Sequence, residues 1–330
     1  MLITYSFVKI LTKRFPEVRF EIVFRETNLD NYQKDEICAI FSPGFYVGKE
    51  AYPIIFSLYS NLENLPLFFP ISCVYGGIDH KQTLYSTQEK TILNKLKRDV
   101  EKFWCRDVAI VEMLLRNGIE AEFSGDMALY DEDYLNTEFY PPCIIKSIAF
   151  TIGHHYEFYS QAIEVLKYIK ERFEEAELFV CYHSKVAKVA KTIGDYAESL
   201  GYSKVVLHGD VRKMEQFYSR IDLHVGYRLH GHIAALRKRK PSILLAEDVR
   251  SLGFMQTECI NVGCFECKIK NDIDEQIVSK ISDFVEYQLS NNFYQYDKCF
   301  KFIDKTYNNV VVRVIEDMIA KIKQNASNVN

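Results

Sequence analysis

The sequence is poor in the residues that interrupt regular structure. Among 330 residues there are 14 glycines and 8 prolines, well below the roughly 12 % that the two types together reach in average proteins. Low-complexity and collagen-like architectures are therefore excluded, and long regular helices and strands are expected. The longest uncharged stretch, Asn64–Ile78, is broken by Pro66 and Pro70 and is shorter than the ~18 apolar residues of a membrane span. It predicts a buried strand with its turns.

A surplus of positive charge is also absent. The chain has 41 lysines and arginines against 45 acidic residues, a net charge of -4, whereas a protein that binds nucleic acid usually carries a basic face. Nine cysteines are scattered and odd in number, which is typical of reduced thiols. Residues Met1–Phe7 have no basic segment of the kind that opens a secretory signal. We expect a cytoplasmic protein that binds no nucleic acid.

Short apolar runs alternate with amphipathic stretches along nearly the whole chain, a pattern typical of parallel strands with crossover helices. The acidic, aromatic stretch Tyr130–Tyr140, followed by two prolines, is the best linker candidate. We therefore predict an α/β fold with two doubly wound domains facing a cleft, residues 1–142 and 143–330. The predicted strands are Val18–Phe24, Ile37–Ser42, Leu67–Val74, Phe103–Cys105, Ile119–Phe123, Ser147–Ile152, Leu178–Tyr182, Lys204–Leu207, Asp222–Val225 and Ser242–Ala246. The predicted helices are Leu2–Arg14, Ala51–Leu62, Thr87–Lys97, Asp107–Asn117, Tyr159–Phe173, Lys185–Leu200, Arg212–Tyr218, one after His230, Asp274–Leu289 and Asp304–Lys323.

The segment Ser219–Phe254 carries the clearest chemical signal. A predicted strand ends at Gly226, and Arg228 and His230 follow at the turn into a helix. Free backbone N–H groups and the helix dipole favour an anion at such a position. Arginine adds bidentate recognition of phosphate or carboxylate, and histidine transfers protons near neutral pH. The structural alternative is an ion pair for Arg228 and a helix cap for His230.

A second arginine, Arg250, follows the next predicted strand at the same edge, and with it the segment resembles the polysaccharide pyruvyl transferases. Members of that family carry an Arg-Leu-His motif after a strand, then a small-residue helix, a Pro-led strand and an acidic-plus-basic strand end. The matching positions here are Arg228-Leu229-His230, Ile233–Leu236, Pro241–Ala246 and Glu247–Arg250. The resemblance covers about Met1–Phe254, and in its first half it rests on Ser42-Pro43-Gly44, Arg106-Asp107, Gly118-Ile119 and Gly125-Asp126.

The resemblance implies a GT-B-like pair of Rossmann-like domains that transfers pyruvate from phosphoenolpyruvate onto a sugar of a surface polysaccharide or its precursor, forming a cyclic ketal. The N-terminal domain is then the acceptor side and the C-terminal domain the donor side. His230 is the expected general acid toward C3 of the donor, and Asp126 or Asp248 is expected to deprotonate or orient the sugar hydroxyls. No metal or cofactor is expected. The expected substrate contacts are Arg228, Leu229, Arg250, Glu247, His154, His155, Ser42, Gly44 and Arg106.

Two features depart from the family pattern. Where relatives carry an arginine after the first strand of the second domain, this chain has Gly153-His154-His155. Histidine binds an anion only when it is protonated or acts as a neutral donor. Relatives also open on a strand and a turn, whereas Leu2–Arg14 already has helical spacing. We therefore expect the first strand to be missing, and an in-frame strand to lie upstream of Met1 in the native gene.

Two other functions stay open. A GT-B glycosyltransferase would hold a diphosphate at the same helix N-terminus and bind ribose through Glu247, and an inactive relative would act as a binding subunit. The basic run Arg237–Lys240 predicts a helix C-terminus placed against the dipole. Its functional alternative is contact with an anionic membrane face or a lipid-linked glycan, at the inner face of the membrane.

Overall fold

The chain forms two compact units. The computed structural model describes residues 2–24, 26–32, 37–49, 62–77 and 79–329. The N-terminal unit comprises Ile3–Tyr130 with Lys305–Asn330, and the central unit comprises Asp131–Asp304 with Met1–Leu2. The alternation of strands and helices predicts a division at residues 142 and 143 instead, with the last helices in the second part.

The N-terminal unit is a parallel α/β arrangement. Strands β1 and β2 pair in parallel, as do β3 and β4, and a parallel bridge between Cys73 and Cys105 joins the continuation of β2 to the end of β3. The carboxyl ends of these strands therefore lead into Gly44, Ser72 and Arg106. The elements are α1 (Leu2–Arg14), β1 (Ala39–Pro43), β2 (Leu67–Ile71), α2 (Thr87–Leu96), β3 (Phe103–Cys105), α3 (Val108–Arg116) and β4 (Ala121–Phe123).

The central unit contains a six-stranded parallel sheet in the order β10-β9-β8-β5-β6-β7. This is the Rossmann strand order, in which the chain runs outward from β5 on one side and then from β8 on the other. Strands β5 and β8 pair with Thr151 opposite Gly226 at their carboxyl ends, so the topological switch point lies there. The elements are β5 (Ser147–Thr151), α4 (Tyr159–Arg172), β6 (Glu177–Tyr182), α5 (Lys188–Ser199), β7 (Ser203–Val206), α6 (Val211–Arg220), β8 (Leu223–Gly226), α7 (Leu229–Leu236), β9 (Ser242–Ala246), α8 (Val249–Met255), β10 (Cys264–Glu266), β11 (Lys268–Ile269), β12 (Asp272–Ile273), α9 (Ile277–Ser290) and α10 (Tyr294–Thr306).

The C-terminal segment is helical, as predicted, but with different bounds. A π-helical turn at Tyr307–Val311 joins α10 to α11, which spans Val312–Val329. Over the part of the chain that the structure describes, no helix combines the length and the apolar character needed to cross a membrane.

The strand predicted at Val18–Phe24 is wrong. These residues form no ladder with any described residue, and Ile22 and Phe24 are 65 % and 83 % exposed, although the ring of Phe20 contacts that of Phe41 in β1. The helix predicted at Ala51–Leu62 lies almost wholly outside the described residues. Helix α8 and strands β10–β12 are short elements that the apolar pattern did not predict.

Candidate functional site

The functional groups of the central unit gather at the carboxyl ends of β5, β8 and β9, beside the switch point where ligands bind in open α/β sheets. Arg228 is the N-cap of α7, and its carbonyl oxygen accepts the N–H groups of Gly231 and His232 at 2.8 and 3.0 Å. Its own backbone N–H donates to the Oγ1 atom of Thr151 at 3.3 Å. Arg228 therefore lies in the strand-to-helix turn where the sequence predicts it, two residues after the end of β8 and directly before α7.

Arg228 is half-buried, and the Nη1 atom of its guanidinium is buried. Its Nη1 atom has no hydrogen-bond partner among the described residues, and burial lowers the pKa of Arg228 from its ordinary value while Glu247 opposes the shift. An arginine nevertheless keeps its charge in a protein. A buried, charged donor without an acceptor carries a desolvation cost. An anionic ligand at this point would remove that cost.

The second arginine has a partner in this structure. Asp248 caps α8 and forms a capping box with Ser251, while Arg250 donates from Nε to Asp248 Oδ2 at 2.9 Å. Burial by itself would raise the pKa of Asp248, but the Arg250 charge and the hydrogen bonds from Ser251 and Arg250 hold it at about 2. Asp248 is therefore ionised and a weak base.

The Gly153-His154-His155 turn is held by Glu247. Both carboxylate oxygens of Glu247 accept the backbone N–H of His154, and Oε2 also lies 3.4 Å from the N atom of His155. Burial raises the pKa of Glu247. Desolvation, and after it the charges of Arg228 and Arg250, lowers the pKa of His154 to about 4. His154 is therefore neutral near pH 7 when no anion is bound.

Two further side chains at this edge were missed by the sequence analysis. His183 follows β6, which pairs with β5, and its Nε2 atom lies 2.8 Å from the hydroxyl oxygen of Tyr218. Burial, and then the charge of Arg228, lowers the pKa of His183 to about 3. The available signal was its place directly after a strand that neighbours the switch point.

The remaining residues of the predicted donor site lie on α7. His230 is half-buried in the first turn of the helix, one residue beyond Leu229, whose side chain is buried. The structure therefore brings together, at one edge of one sheet, the predicted residues Arg228, Leu229, His230, His154, His155, Glu247, Asp248 and Arg250.

The predicted residues of the first half lie in the N-terminal unit. Arg106 and Asp126 follow β3 and β4 and are 1 % and 0 % exposed; Arg106 pairs with Asp107 at 3.2 Å. Burial raises the pKa of Asp126, with the Arg106 charge acting against it. Neither side chain has surface for a substrate in this structure. Ser42 and Gly44 are half-buried at the carboxyl end of β1.

A comparison with family models decides the identity. The model described as "Polysaccharide pyruvyl transferase" matches residues 1–249, which include Arg228-Leu229-His230 and Glu247-Asp248 and end one residue before Arg250. The chain belongs to the polysaccharide pyruvyl transferase family. The resemblance in the motifs is thereby confirmed. A comparison with curated proteins finds no match.

Solved structures give this pyruvyl transferase family member a GT-B-like α/β fold. Wall teichoic acid polymerase TagF has a TM-score of 0.51 and 12 % identity, over 97 % of this chain and 86 % of that one. A glycosyltransferase from Rickettsia africae ESF-5 has a TM-score of 0.50 and 12 % identity, over 97 % and 88 %. An accessory secretory protein structure from Streptococcus pneumoniae has a TM-score of 0.49 and 11 % identity; the chain spans 58 % of its length.

The basic run is buried in this family member. Arg237 and Lys238 lie 3.3 and 2.6 Å from the carboxylate of Asp131 and 3.2 and 2.9 Å from that of Glu215. Arg239 pairs with Asp304. These three side chains are at most 7 % exposed, so the interpretation of the run as a membrane-facing patch is wrong. The run begins at the C-cap of α7, as the sequence predicts. Its first three charges form ion pairs with carboxylates of the central unit.

Proposed function

We propose that this family member transfers pyruvate from phosphoenolpyruvate onto a sugar, or a lipid-linked glycan, that serves a surface polysaccharide, forming a pyruvate ketal. One observation carries the proposal: at the N-terminus of α7, the buried Nη1 atom of Arg228 has no acceptor within the described part of the chain. Phosphoenolpyruvate is a compact donor with a phosphate and a carboxylate. A guanidinium and a helix N-terminus on one edge suit two such groups.

Arg250 provides the second cation in this proposal. Its partner Asp248 is anchored by the capping box, so the carboxylate keeps Arg250 at the strand end until the donor arrives. Because the pKa of Asp248 is about 2, we assign Asp248 to holding Arg250 and not to deprotonating a sugar.

The proposed reaction needs a proton donor near Arg228, and we assign this role to His230. His230 protonates C3 of phosphoenolpyruvate, which becomes the methyl group, while a sugar hydroxyl adds to C2. A second sugar hydroxyl then forms its bond to C2 as the C2–O bond to phosphate breaks. Two hydroxyl protons are released; one balances the proton taken by C3 and the other leaves with inorganic phosphate. Arg228 stabilises the charge that builds on the leaving phosphate.

The nucleotide-sugar alternative rests on the GT-B-like fold alone, which many functions share. Its expected ribose contact, Glu247, already accepts the His154 and His155 amides. This engagement disfavours Glu247 as a ribose contact. The acceptor side is proposed to be the N-terminal unit, without direct contacts from the buried Arg106 and Asp126.

Calorimetric titration tests the donor class without an acceptor. We expect phosphoenolpyruvate to bind the wild type, and Arg228→Ala to weaken it at least about tenfold, as expected for one charge-assisted hydrogen bond. Arg172→Ala is the matched control. Arg172 pairs with Glu286 near the end of α4, so this variant should bind phosphoenolpyruvate as the wild type does. Binding of UDP- or CDP-sugars with no response to phosphoenolpyruvate would replace the proposal with a glycosyltransferase.

A further inference from the structure

A chain of buried polar side chains lies directly behind Arg228. The Oγ1 atom of Thr151 is 2.8 Å from Nε2 of His224, whose Nδ1 is 2.7 Å from Oγ of Ser242. The same Oγ atom is 2.7 Å from Nδ1 of His232. All four residues are 0 % exposed. They come from β5, β8, β9 and α7, so the chain crosses the centre of the sheet to the helix that carries Arg228.

The proton count gives this chain a direction. Ser242 has one hydroxyl proton, so it can donate to only one of the two Nδ1 atoms that it contacts. If both rings donated to Ser242, its own buried proton would have no acceptor among the described contacts, which is costly. One histidine therefore donates to Ser242 and the other accepts from it. The two rings therefore carry their protons on different nitrogens. Burial lowers the pKa of His224 and lowers that of His232 to about 3, so both rings are neutral near pH 7.

The Thr151 hydroxyl selects between the two possible directions. If His224 donates from Nδ1, then Thr151 donates to its Nε2 and keeps a lone pair for the Arg228 N–H, and Ser242 donates to His232. Every proton of these four side chains then has an acceptor, because Nε2 of His232 lies 3.8 Å from Sγ of Cys264. In the opposite direction Thr151 Oγ1 accepts from both His224 and Arg228. The hydroxyl proton of Thr151 then has no acceptor among the described residues. A buried hydroxyl proton without an acceptor is costly.

The first turn of α7 also packs on this chain. A Cβ atom added to Gly231 would lie 2.9 Å from His224 Nε2 and 2.9 Å from Thr151 Cγ2. Glycine is therefore required for the helix to approach the chain this closely. Arg228 is thus coupled to the chain at two points, through its own N–H and through the turn that its carbonyl oxygen closes.

We propose that Thr151, His224, Ser242 and His232 form a positioning relay that fixes the Arg228 turn and so orients the guanidinium toward the donor. The role of the relay in orienting Arg228 toward the donor rests on the proposed function. The hydrogen bonds of the relay do not depend on it. None of the four side chains needs to touch substrate. Their effect passes through the hydrogen bond that the Arg228 N–H donates to Thr151 Oγ1 and through the packing of Gly231 on His224 and Thr151.

The matched pair Thr151→Val and Thr151→Ser tests the relay. Valine keeps the volume and removes the hydroxyl, while serine keeps the hydroxyl. We expect Thr151→Val to speed hydrogen exchange of the Arg228 amide at least about tenfold and to weaken phosphoenolpyruvate binding about tenfold. Thr151→Ser should stay within about threefold of wild type in both. Equal Arg228 exchange in all three proteins overturns the relay.

The ring protons give a readout that needs neither ligand nor variant. Nitrogen NMR of the wild type should show the proton of His224 on Nδ1 and that of His232 on Nε2; protons on the same nitrogen in both rings overturn the relay. Ser242→Ala serves as the second variant if Thr151→Val does not fold. Without the Ser242 hydroxyl, His232 should populate both neutral tautomers, with the proton on Nδ1 or on Nε2. If wild-type phosphoenolpyruvate binding fails while exchange and ring protons behave as expected, the proposed function is wrong and the relay stands.

Discussion

The two carboxylate oxygens of Glu247 both accept the backbone N–H of His154, at 3.0 and 2.9 Å. This contact ties the carboxyl end of β9 to that of β5 across β8. A Cβ atom on Gly153 would lie 2.5 Å from Oε2 of Glu247 and 3.1 Å from Cβ of Tyr227. A long side chain such as arginine at Gly153 would therefore displace the Glu247 carboxylate. The contact between Glu247 and the His154 N–H requires a glycine at position 153.

Glu247→Gln should destabilise the protein. The amide offers one acceptor oxygen where the carboxylate offers two, and its NH₂ group would face the amides of His154 and His155. We expect the free energy of unfolding at pH 7 to fall by about 1–2 kcal/mol in urea. Glu258→Gln, at an exposed turn, is the control and should change little. A variant as stable as wild type would show that the contact does not hold the turn.

Sulfate binding should tighten as the pH falls. Sulfate stays a dianion from ~pH 5 to 8, and its charge would offset the Arg228 and Arg250 charges that help hold the pKa of His154 at about 4. Protonation of His154 then becomes coupled to binding. If bound sulfate raises the pKa of His154 by one unit, linkage makes binding about twofold tighter at pH 5 than at pH 7, which calorimetry measures.

The control for sulfate is a histidine substitution beside the outermost strand of the sheet, since His208 follows β7 and Arg228 follows β8. His154→Gln should flatten the pH dependence, whereas His208→Gln, in an exposed turn before α6, should leave it unchanged. In the absence of anion, the free energy of unfolding changes in the opposite direction and decreases as the pH falls. The pKa of His154 is lowered from 6.5 to about 4, so its contribution is present above 6.5 and is lost as pH falls toward 4. A pH-independent sulfate affinity in wild type would contradict this coupling.

The central sheet could be predicted from the sequence because each strand is a short apolar run between amphipathic helices. Ser242–Ala246 was predicted with its observed bounds, and the Arg228 turn followed from the strand before it and the small residues after it. The Val18–Phe24 strand failed because local composition does not say whether a partner strand is available. The ion pairs of Arg237 and Lys238 join residues distant in sequence, so no local pattern could show that the basic run is buried. His183 needed the strand order, which periodicity does not contain.

Asp248→Asn should remove an acid-sensitive part of the stability. Asparagine still caps a helix, so the substitution removes mainly the charge pair with Arg250. The pKa of Asp248 is lowered from 3.8 to about 2, so its stabilisation is present above pH 3.8 and is lost as pH falls through 2. We expect a loss of about 2 kcal/mol at pH 7, and no difference from wild type near pH 2.

Asp210→Asn is the matched control for Asp248. Asp210 caps α6 through the Lys213 N–H, and the described contacts give it no arginine partner. Thermal unfolding across the pH range should separate the two variants, with Asp210→Asn near wild type throughout. An Asp248→Asn deficit that stays constant down to pH 2 would contradict a charge-based origin.

Asp131→Asn should be strongly destabilising. Asp131 is fully buried and neutralises Arg237 and Lys238 at 3.3 and 2.6 Å, so the variant leaves buried positive charge. Breaking such a pair costs about 3–5 kcal/mol, measurable in urea. The surface pair of Lys301 and Asp297 gives the control, since Asp297→Asn should cost less than about 1 kcal/mol. A small effect at Asp131 would mean that the basic run is solvated.

The most direct measurement is transfer in D₂O with a panel of glycan acceptors, followed by product mass and phosphate release. The predicted product carries the mass of pyruvate less one water and one deuterium in the ketal methyl group, with one phosphate released for each acceptor changed. His230→Gln should slow this reaction at least about 100-fold while phosphoenolpyruvate still binds. Release of a nucleoside diphosphate from a sugar nucleotide, or wild-type rates with His230→Gln, would contradict the account.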